Sequence, residues 1–330
     1  MPVGTDQVSK AILHSSIFKP GVWDCIFISY WGFPNPTLGF WRENMKKFFI
    51  ALSSIIAVLF VAVLGAHFYG LQNLSAYQLD RFTTVKASEY LVAPERGKHL
   101  ATISGCNGCH GANYQGKDFI NEAPIGYVPA PNLTPAGPVA NYTDEDWVKA
   151  IRHGIAKDGR VMVIMPSNHY SAYGDDDLAA LISYMKTLPP AENKFSSRDI
   201  QFPGSIIFGI LAYDSWPANQ IPHDEVGGKI APIIDESLGY GQYLTRITGC
   251  YECHGENLAG KDPDSEGSPG PNITRKGNPG NWNFEEFKKA MQTGQTPEGK
   301  ILNPEKMPWP HYAVMSDVEL KSLWANLNSI

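Results

Sequence analysis

The chain has 330 residues, of which 43% are hydrophobic and 18% are charged, and its formal net charge is −6. This composition allows about two globular domains with buried cores, and the negative charge argues against nucleic acid as a partner. Four of the five cysteines fall into two repeated motifs, so an even disulfide framework is not expected.

The first predicted element is a single membrane-spanning helix. Residues 48–66 contain no charged side chain over 19 residues, about the length that crosses a bilayer. Arg42, Lys46 and Lys47 precede this run, and no Lys or Arg follows it until Arg81. The positive-inside rule therefore predicts a cytoplasmic N-terminus with the rest of the chain outside. A cleaved signal peptide and a buried core helix are the alternatives, which the length and the poor cleavage site disfavour.

These signals divide the N-terminal part into three predicted segments. Residues 45–67 form the transmembrane anchor, and residues 68–84 form a linker. Residues 1–44 form an extension that is either cytoplasmic or not translated, because Met45 and the two lysines after it suit the start of a signal anchor. Cys25 lies in this extension and is expected to be a reduced bystander.

The central feature of the sequence is a Cys-x-x-Cys-His motif that occurs twice, 144 residues apart. "CNGCH" begins at Cys106, and "CYECH" begins at Cys250. Neighbouring stretches recur in the same order, so that "PAPNLT" returns as "PGPNIT" and "MPSNHY" returns as "MPWPHY". The repetition predicts two tandem domains, residues 85–190 and residues 234–330, joined by an inter-domain strap at residues 191–233.

Cys-x-x-Cys-His can in principle belong to a zinc site, a thiol–disulfide switch or a covalent haem. Zinc pairs usually lie much closer in sequence, and zinc leaves the histidine after each pair unexplained. A thiol switch of the thioredoxin kind needs a βαβ context, which the sequence does not suggest. Covalent haem accounts for every residue, since two thiols attach the porphyrin and the imidazole ligates the iron. The residues predicted to hold two haem c groups are Cys106, Cys109, His110, Cys250, Cys253 and His254.

The sixth iron ligand is predicted to be a methionine in each domain. Met165 lies 55 residues after His110, Met307 lies 53 residues after His254, and each methionine is followed by proline. Methionine is a common second axial ligand in cytochromes c. His169 and His311, four residues after each methionine, are the rival ligands.

A backbone carbonyl is expected to orient each ligating imidazole. Metal-bound histidines usually donate their other ring N–H to a carbonyl or carboxylate. Pro131 and Pro271, in the repeated "PNLT" and "PNIT" stretches, are the predicted acceptors. A plain proline turn explains the same residues from spacing alone.

Helices are predicted on both sides of each motif, which makes the expected fold all-α. Thr143 and Gly154 bound a helix as its N-cap and C-cap residues, and Asn283 and Gly294 bound its counterpart. The last helix begins with the capping-box pair at Ser316. The 25 prolines and 31 glycines indicate loop-rich domains with few strands.

The pattern resembles the class I c-type cytochrome family over roughly residues 85–330. The CxxCH motif, the Pro-Asn-Leu turn and the late Met-Pro carry this resemblance, and "PNLTPAG" and "PNITRKG" resemble the cytochrome c subunits of membrane-bound alcohol and aldehyde dehydrogenases. Those subunits commonly carry three haem motifs, whereas this sequence has two. The resemblance implies two tandem class I cytochrome c domains behind one transmembrane helix.

The function expected from these features is electron transfer on the outer, periplasmic face of the cytoplasmic membrane. Electrons are expected to pass from a quinol-oxidising complex or dehydrogenase toward a terminal acceptor, which makes a carrier or electron-transfer subunit more plausible than a catalyst. Two alternatives stay open, a dihaem redox enzyme of the peroxidase or thiosulfate-oxidising type and a fixed cytochrome subunit of a larger dehydrogenase or respiratory complex. The apolar stretch at 206–213 is interpreted as part of the strap, with a membrane-dipping or partner-binding loop as the alternative.

Overall fold

The protein is mostly helical in the computed structural model. The structure describes residues 36–79, 81–91, 93–193, 197–262 and 269–330. Most of the predicted N-terminal extension, including Cys25, lies outside the described residues.

Helix α1, Pro36–Ser75, is the predicted membrane helix. It is the one described helix that is long and apolar enough to cross a membrane, over Phe40–Ser75. The helix is longer than the predicted anchor at 45–67, and residues 68–75 form its last two turns instead of a linker. Leu74 in these turns is buried, because this end of the helix packs on other parts of the protein.

The chain divides into two compact units, Met1–Val61 and Ala62–Ile330. All other described helices and strands belong to the second unit, and its helices come in two series. The first series is α2 (Pro94–Ile103), α3 (Cys106–His110), α4 (Asp144–His153), α5 (Ser167–Tyr170) and α6 (Asp175–Lys186). The connection contains α7 (Gly204–Ile206), which continues as a π-helical turn (Ile207–Leu211). The second series is α8 (Leu238–Ile247), α9 (Cys250–His254), α10 (Phe284–Thr293), α11 (Trp309–Tyr312) and α12 (Asp317–Asn328).

The same close helix crossing occurs in both series. A Cβ atom added to Gly97 in α2 would lie 2.0 Å from the carbonyl oxygen of Ala180 in α6. A Cβ atom added to Gly241 in α8 would lie 1.9 Å from the carbonyl oxygen of Ser322 in α12. Only glycine allows backbones to approach so closely. The repeated glycine therefore fixes the first and last helix of each series against each other.

A small antiparallel sheet corrects the all-α prediction. Its strands are β1 (Lys117–Glu122), β2 (Gly126–Ala130) and β3 (Asp199–Ile200), in the order β1-β2-β3. The register pairs Gly126 with Ile200 and Tyr127 with Asp199. The strands are short, and β3 lies in the connection between the two series of helices, far from β1 and β2 in sequence. No local alternation of apolar residues therefore predicted them.

The helix caps follow the sequence prediction. Thr143 caps α4, Asn283 caps α10 and Ser316 caps α12, each in a reciprocal capping box with the acidic residue three positions later. Gly154 and Gly294 end α4 and α10 in the left-handed conformation. These ends depend on bonds between near neighbours in sequence, which is why local signals located them.

The connection between the two series is fastened mainly to the first. Arg198 donates from its Nη1 and Nη2 atoms to the carbonyl oxygens of Val161 and Leu74, at 2.8 and 2.9 Å. His223 lies with its Nδ1 atom 2.8 Å from Nδ1 of His153. These bonds place the connection alongside the first CxxCH half of the protein.

A buried charge cluster joins the two series. Arg96 of α2 makes a bidentate pair with Asp177 of α6, with N–O distances of 2.8 Å. Its Nη1 atom also lies 3.6 Å from the Glu319 carboxylate of α12, and His99 contacts the same carboxylate at 2.8 Å. In the opposite direction, Tyr243 of α8 donates to Asp177 at 2.7 Å. The first series thus contacts the Glu319 carboxylate in the first turn of α12, and the second series contacts the Asp177 carboxylate in the first turn of α6.

Replacing Glu319 by glutamine is expected to weaken this junction. Burial alone raises the pKa of the Glu319 carboxyl, but hydrogen bonds from His99 and Ser316 outweigh burial and lower the pKa to about 2. A depressed pKa stabilises the folded state above the unfolded value near 4.5, and this stability is lost as the pH falls toward 2. The variant should lose about 3 kcal/mol of unfolding free energy at pH 7, and the loss should shrink below pH 4.

Chemical unfolding of the full chain in detergent, at pH 7 and pH 3, measures both quantities. Asp317→Asn is the matched control, because Asp317 lies in the same helical turn but is exposed and forms its ion pair with Lys288 at the surface. That change should cost less than about 1 kcal/mol. Equal losses for the two variants would contradict the role assigned to Glu319.

Candidate haem-binding site

The two CxxCH motifs form equivalent short helices. Helix α3 is preceded by Gly105 at φ 72° and followed by Gly111 at φ 82°, and helix α9 has glycines at the same places with φ 72° and 78°. Glycines with positive φ on both sides confine each motif to a single turn of helix. Within that turn, both cysteines of a motif lie close to its histidine, and all four thiols are free.

Each motif histidine is hydrogen-bonded to the proline carbonyl that the sequence predicts as its acceptor. Nδ1 of His110 lies 2.8 Å from the carbonyl oxygen of Pro131, and Nδ1 of His254 lies 2.7 Å from that of Pro271. A carbonyl only accepts, so each Nδ1 carries the proton and each Nε2 keeps its lone pair. Burial lowers the pKa of His110 and of His254, which keeps the imidazoles neutral. A neutral imidazole with a free Nε2 is the form that binds iron.

A cavity of about 340 Å³ opens beside the first motif. Its volume lies in the usual range for sites that hold small molecules and cofactors. Cys106, Cys109 and His110 form one part of its wall, and Met165 forms another. The rest of the wall is mainly apolar, with side chains such as Leu181 and Ile151. Thiols, imidazole and thioether thus border one apolar space, and this donor set fits a covalently attached haem.

Met165 and His169 lie in the same loop, but only Met165 reaches the cavity. Met165 borders the cavity, whereas His169 is buried outside the cavity wall and bonds through Nε2 to Glu252 of α9 at 2.6 Å. Met162 also borders the cavity, although it has no counterpart in the second series. Met185 borders the same cavity as well, so three methionine side chains reach this space.

The second methionine loop has a matching arrangement. His311 lies against the first CxxCH motif, because a Cβ atom added to Gly108 would lie 3.0 Å from His311 Nε2. His169 lies against the second motif in the same way, 3.4 Å from a Cβ atom added to Gly249. Each methionine-loop histidine therefore contacts the motif of the other series, a relation that sequence reasoning missed. Met307 is half-buried and packs on the main core.

Two arginines in the cavity wall were also missed. Arg160 and Arg198 both border the space beside the first motif. Burial, together with the positive charge of Arg160, lowers the pKa of Arg198 to about 10. Arg160 has a basic counterpart in Lys300 of the second series, which was a detectable signal, but Arg198 comes from the connection and has none. Such cations suit the carboxylate groups that a haem carries.

The thiols lack the properties of a redox switch. Burial raises the pKa of the Cys106 thiol to about 12 and also raises the pKa of Cys109, Cys250 and Cys253. Reactive thiols have the opposite property, a lowered pKa. Within the described ranges, no group of three or more His, Cys, Asp or Glu side chains is placed to hold a metal ion by itself.

Comparison with known proteins agrees with this chemistry. Residues 94–189, which include the first motif and Met165, match the cytochrome c family. A cytochrome c domain carries covalently bound haem c, so the expectation of covalent haem is confirmed in this coarser form. When bound, haem supplies an iron that exchanges single electrons.

Three relatives are similar to this chain over more than half of its length. The alcohol dehydrogenase (quinone) cytochrome c subunit of Gluconobacter oxydans is 32% identical over 63% of this chain and 44% of its own length. The fructose dehydrogenase cytochrome subunit of Gluconobacter japonicus is 25% identical over 74% of this chain and 54% of its own length. A diheme cytochrome c-type protein of Cereibacter sphaeroides is 26% identical over 62% of this chain and 74% of its own length.

The chain spans about half the length of the two dehydrogenase subunits that it matches. The similarity extends beyond the family match at 94–189, since the aligned stretches are 219 and 270 residues long. The chain therefore contains a cytochrome c domain and is similar to the cytochrome c electron-transfer subunits of alcohol, fructose and gluconate dehydrogenases.

Proposed function

We propose that the chain is a membrane-anchored dihaem cytochrome c that serves as the electron-transfer subunit of a dehydrogenase. The observation that carries the proposal is the repeated hydrogen bond between Nδ1 of a motif histidine and a proline carbonyl, an orientation that leaves Nε2 to bind iron. Two equivalent arrangements in one chain support two haem sites, and the diheme relative agrees with that number. The second series is accordingly proposed to be a second cytochrome c domain, at residues 234–330.

The protein's own residues hold and tune the two haems. Cys106 and Cys109 are proposed to attach the first haem, while His110 and Met165 take the two axial positions. Cys250 and Cys253 attach the second haem with His254 and Met307 as ligands. Methionine ligation favours the ferrous state and raises the reduction potential. The apolar cavity wall excludes water, which protects this preference.

The contact between the two series supports electron passage from one haem to the other. His169 bonds to Glu252 inside the second motif, and His311 packs on Gly108 inside the first. The buried pair between Arg96 and Asp177 lies in the same junction and helps to fix it. These contacts hold the two motifs toward each other, so an electron on one haem has a short protein path to the other.

The distribution of basic residues around α1 supports one orientation of the chain in the membrane. Arg42, Lys46 and Lys47 precede the apolar run of α1, and the positive-inside rule retains such residues in the cytoplasm. The haem domains are therefore proposed to lie on the periplasmic side of the cytoplasmic membrane, where a single helix keeps them at the surface. A dehydrogenase subunit is the proposed donor, and a terminal acceptor of the respiratory chain receives the electrons.

Purification in mild detergent tests this function. We expect a dehydrogenase chain to migrate with the protein, and its substrate to reduce both haems as followed by visible absorbance. A reporter enzyme fused after Ile330 should be active only outside the cytoplasm. A protein that purifies alone, with haems that no dehydrogenase substrate reduces in native membranes, would contradict the subunit role. Reporter activity inside the cell would contradict the orientation.

A further inference from the structure

The connection between the two series contains an uncharged stretch that the electron-transfer function does not use. No charged residue occurs from Gln201 to Tyr213, and this stretch includes α7 and the π-helical turn. We call residues 202–213 the apolar segment. Four of its side chains are substantially exposed although they are large and apolar: Phe202 at 51%, Ile207 at 37%, Leu211 at 76% and Tyr213 at 42%. Large apolar side chains exposed together usually mark an interaction surface.

The apolar segment packs directly on the last turns of α1. A Cβ atom added to Gly70 would lie 2.1 Å from the carbonyl oxygen of Ser205, and one added to Gly209 would lie 2.3 Å from that of Gly70. Asn73 donates from Nδ2 to the carbonyl oxygen of Gly209 at 2.9 Å, and Nδ1 of His67 lies 2.6 Å from the Ser205 hydroxyl. The two backbones therefore touch, and polar bonds fix their relative position.

The other side of the segment is fastened to the protein. Trp216 is buried and donates from Nε1 to the carbonyl oxygen of Phe208 at 2.7 Å. A Cβ atom added to Gly204 would lie 2.0 Å from the carbonyl oxygen of Ile125, so the segment also contacts the turn between β1 and β2. Because the backbone of the segment contacts α1 on one side and is bonded to Trp216 on the other, its position is fixed while its large apolar side chains stay exposed.

We infer that the apolar segment lies in the lipid interface at the outer end of the membrane helix. This inference rests on the proposed membrane anchor. The uncharged run of α1 ends at Ala66, and the next residue, His67, already bonds to the segment. Residues 67–73 of a helix span about 10 Å, which is the depth that interfacial elements occupy at a bilayer surface.

The composition agrees with a lipid environment. Phe68 and Tyr69 are exposed on the same turns of α1, at 64% and 58%, and aromatic side chains are favoured where the bilayer meets water. The exposed positions of the apolar segment carry no charge that lipid tails would exclude. The segment thus adds a second membrane contact beside the helix.

Photolabelling of the full-length protein tests the inference. The protein is reconstituted in phosphatidylcholine vesicles that contain a small fraction of a phospholipid with a diazirine on its acyl chain. After irradiation and digestion, mass spectrometry should locate lipid adducts in residues 48–66 and also in residues 202–213. The double variant Ile207→Ser, Leu211→Ser should lower the adducts in the segment at least about fivefold and leave those in α1 unchanged.

Ile301→Ser is the matched control, since Ile301 is an exposed apolar residue of the second series. It should leave both sets of adducts unchanged. Adducts in 48–66 without adducts in 202–213 would overturn the lipid contact while leaving the anchor intact. An absence of adducts from both stretches would refute the anchor itself and the inference with it. If the segment is unlabelled and a co-purified subunit is found to cover it, a protein surface and not lipid is its partner, and the inference is wrong.

Discussion

Replacing Met165 by alanine is expected to remove about half of the far-red sulfur–iron absorption of the oxidised protein and to lower the potential of one haem. The thioether stabilises the ferrous state, and axial ligands span about 0.8 V of potential, so a drop on the order of 0.1 V or more is expected. Met307→Ala should remove the other half. Visible absorbance and a spectroelectrochemical titration of the detergent-solubilised chain measure both effects.

The cavity supplies its own controls for this experiment. Met162→Ala removes another methionine that borders the same space, and it should leave the far-red band intact if Met165 is the ligand. His169→Ala should also preserve the band, because Nε2 of His169 is bonded to Glu252 and lies outside the cavity wall. Proline after Met165 limits the backbone at that position, which favours Met165 over Met162.

Two outcomes would contradict the ligand assignment. Retention of the band in Met165→Ala together with its loss in Met162→Ala would transfer the first site to Met162. Absence of the band from the wild-type protein, with spectra that respond to His169→Ala and His311→Ala, would show bis-histidine ligation. The high-potential role would then fail as well, since methionine ligation is its physical basis.

Replacing both Cys106 and Cys109 by serine is expected to halve the covalent haem content of the chain. Both thioether links of the first site depend on these sulfurs, and no other described cysteine belongs to that cavity wall. The double change of Cys250 and Cys253 should have the same effect on the second site. Pyridine haemochrome absorbance after acid extraction of loose haem gives the content.

Cys25→Ser is the matched control for these cysteine variants. Cys25 belongs to neither repeated motif, so its replacement should leave two haems in place. Full haem content after the change of one motif pair would contradict covalent attachment at that motif. Loss of both haems from one double variant would instead show that the two sites assemble together.

Local sequence signals located the helices that surround the sites. The acids three residues after Thr143 and Ser316 complete capping boxes, and each box is formed by residues within one turn. The pairing of His110 with Pro131 was also accessible, because the proline stretch recurs after both motifs. Such features depend on short spacing or on repetition, and both are visible in a single sequence.

Contacts between distant parts of the chain were not accessible. Strand β3 pairs with β2 across more than 70 residues, and Arg198 joins the first cavity from the connection. The bond between His169 and Glu252 crosses from one series to the other over 83 residues. These contacts depend on how the two series pack against each other, and neither the hydrophobic periodicity nor a motif in the sequence predicts that packing. The sequence offered His169 as a rival iron ligand, whereas the structure buries it at the junction, where it bonds to Glu252.

The number and location of haems on the wild-type chain test the central claim most directly. Mass spectrometry of the purified protein under denaturing conditions should give the mass of the polypeptide plus two haem groups. Digestion should place one haem on the peptide with Cys106 and Cys109 and the other on the peptide with Cys250 and Cys253. A mass without two covalent haems, or a haem-free peptide from either motif, would contradict the dihaem account.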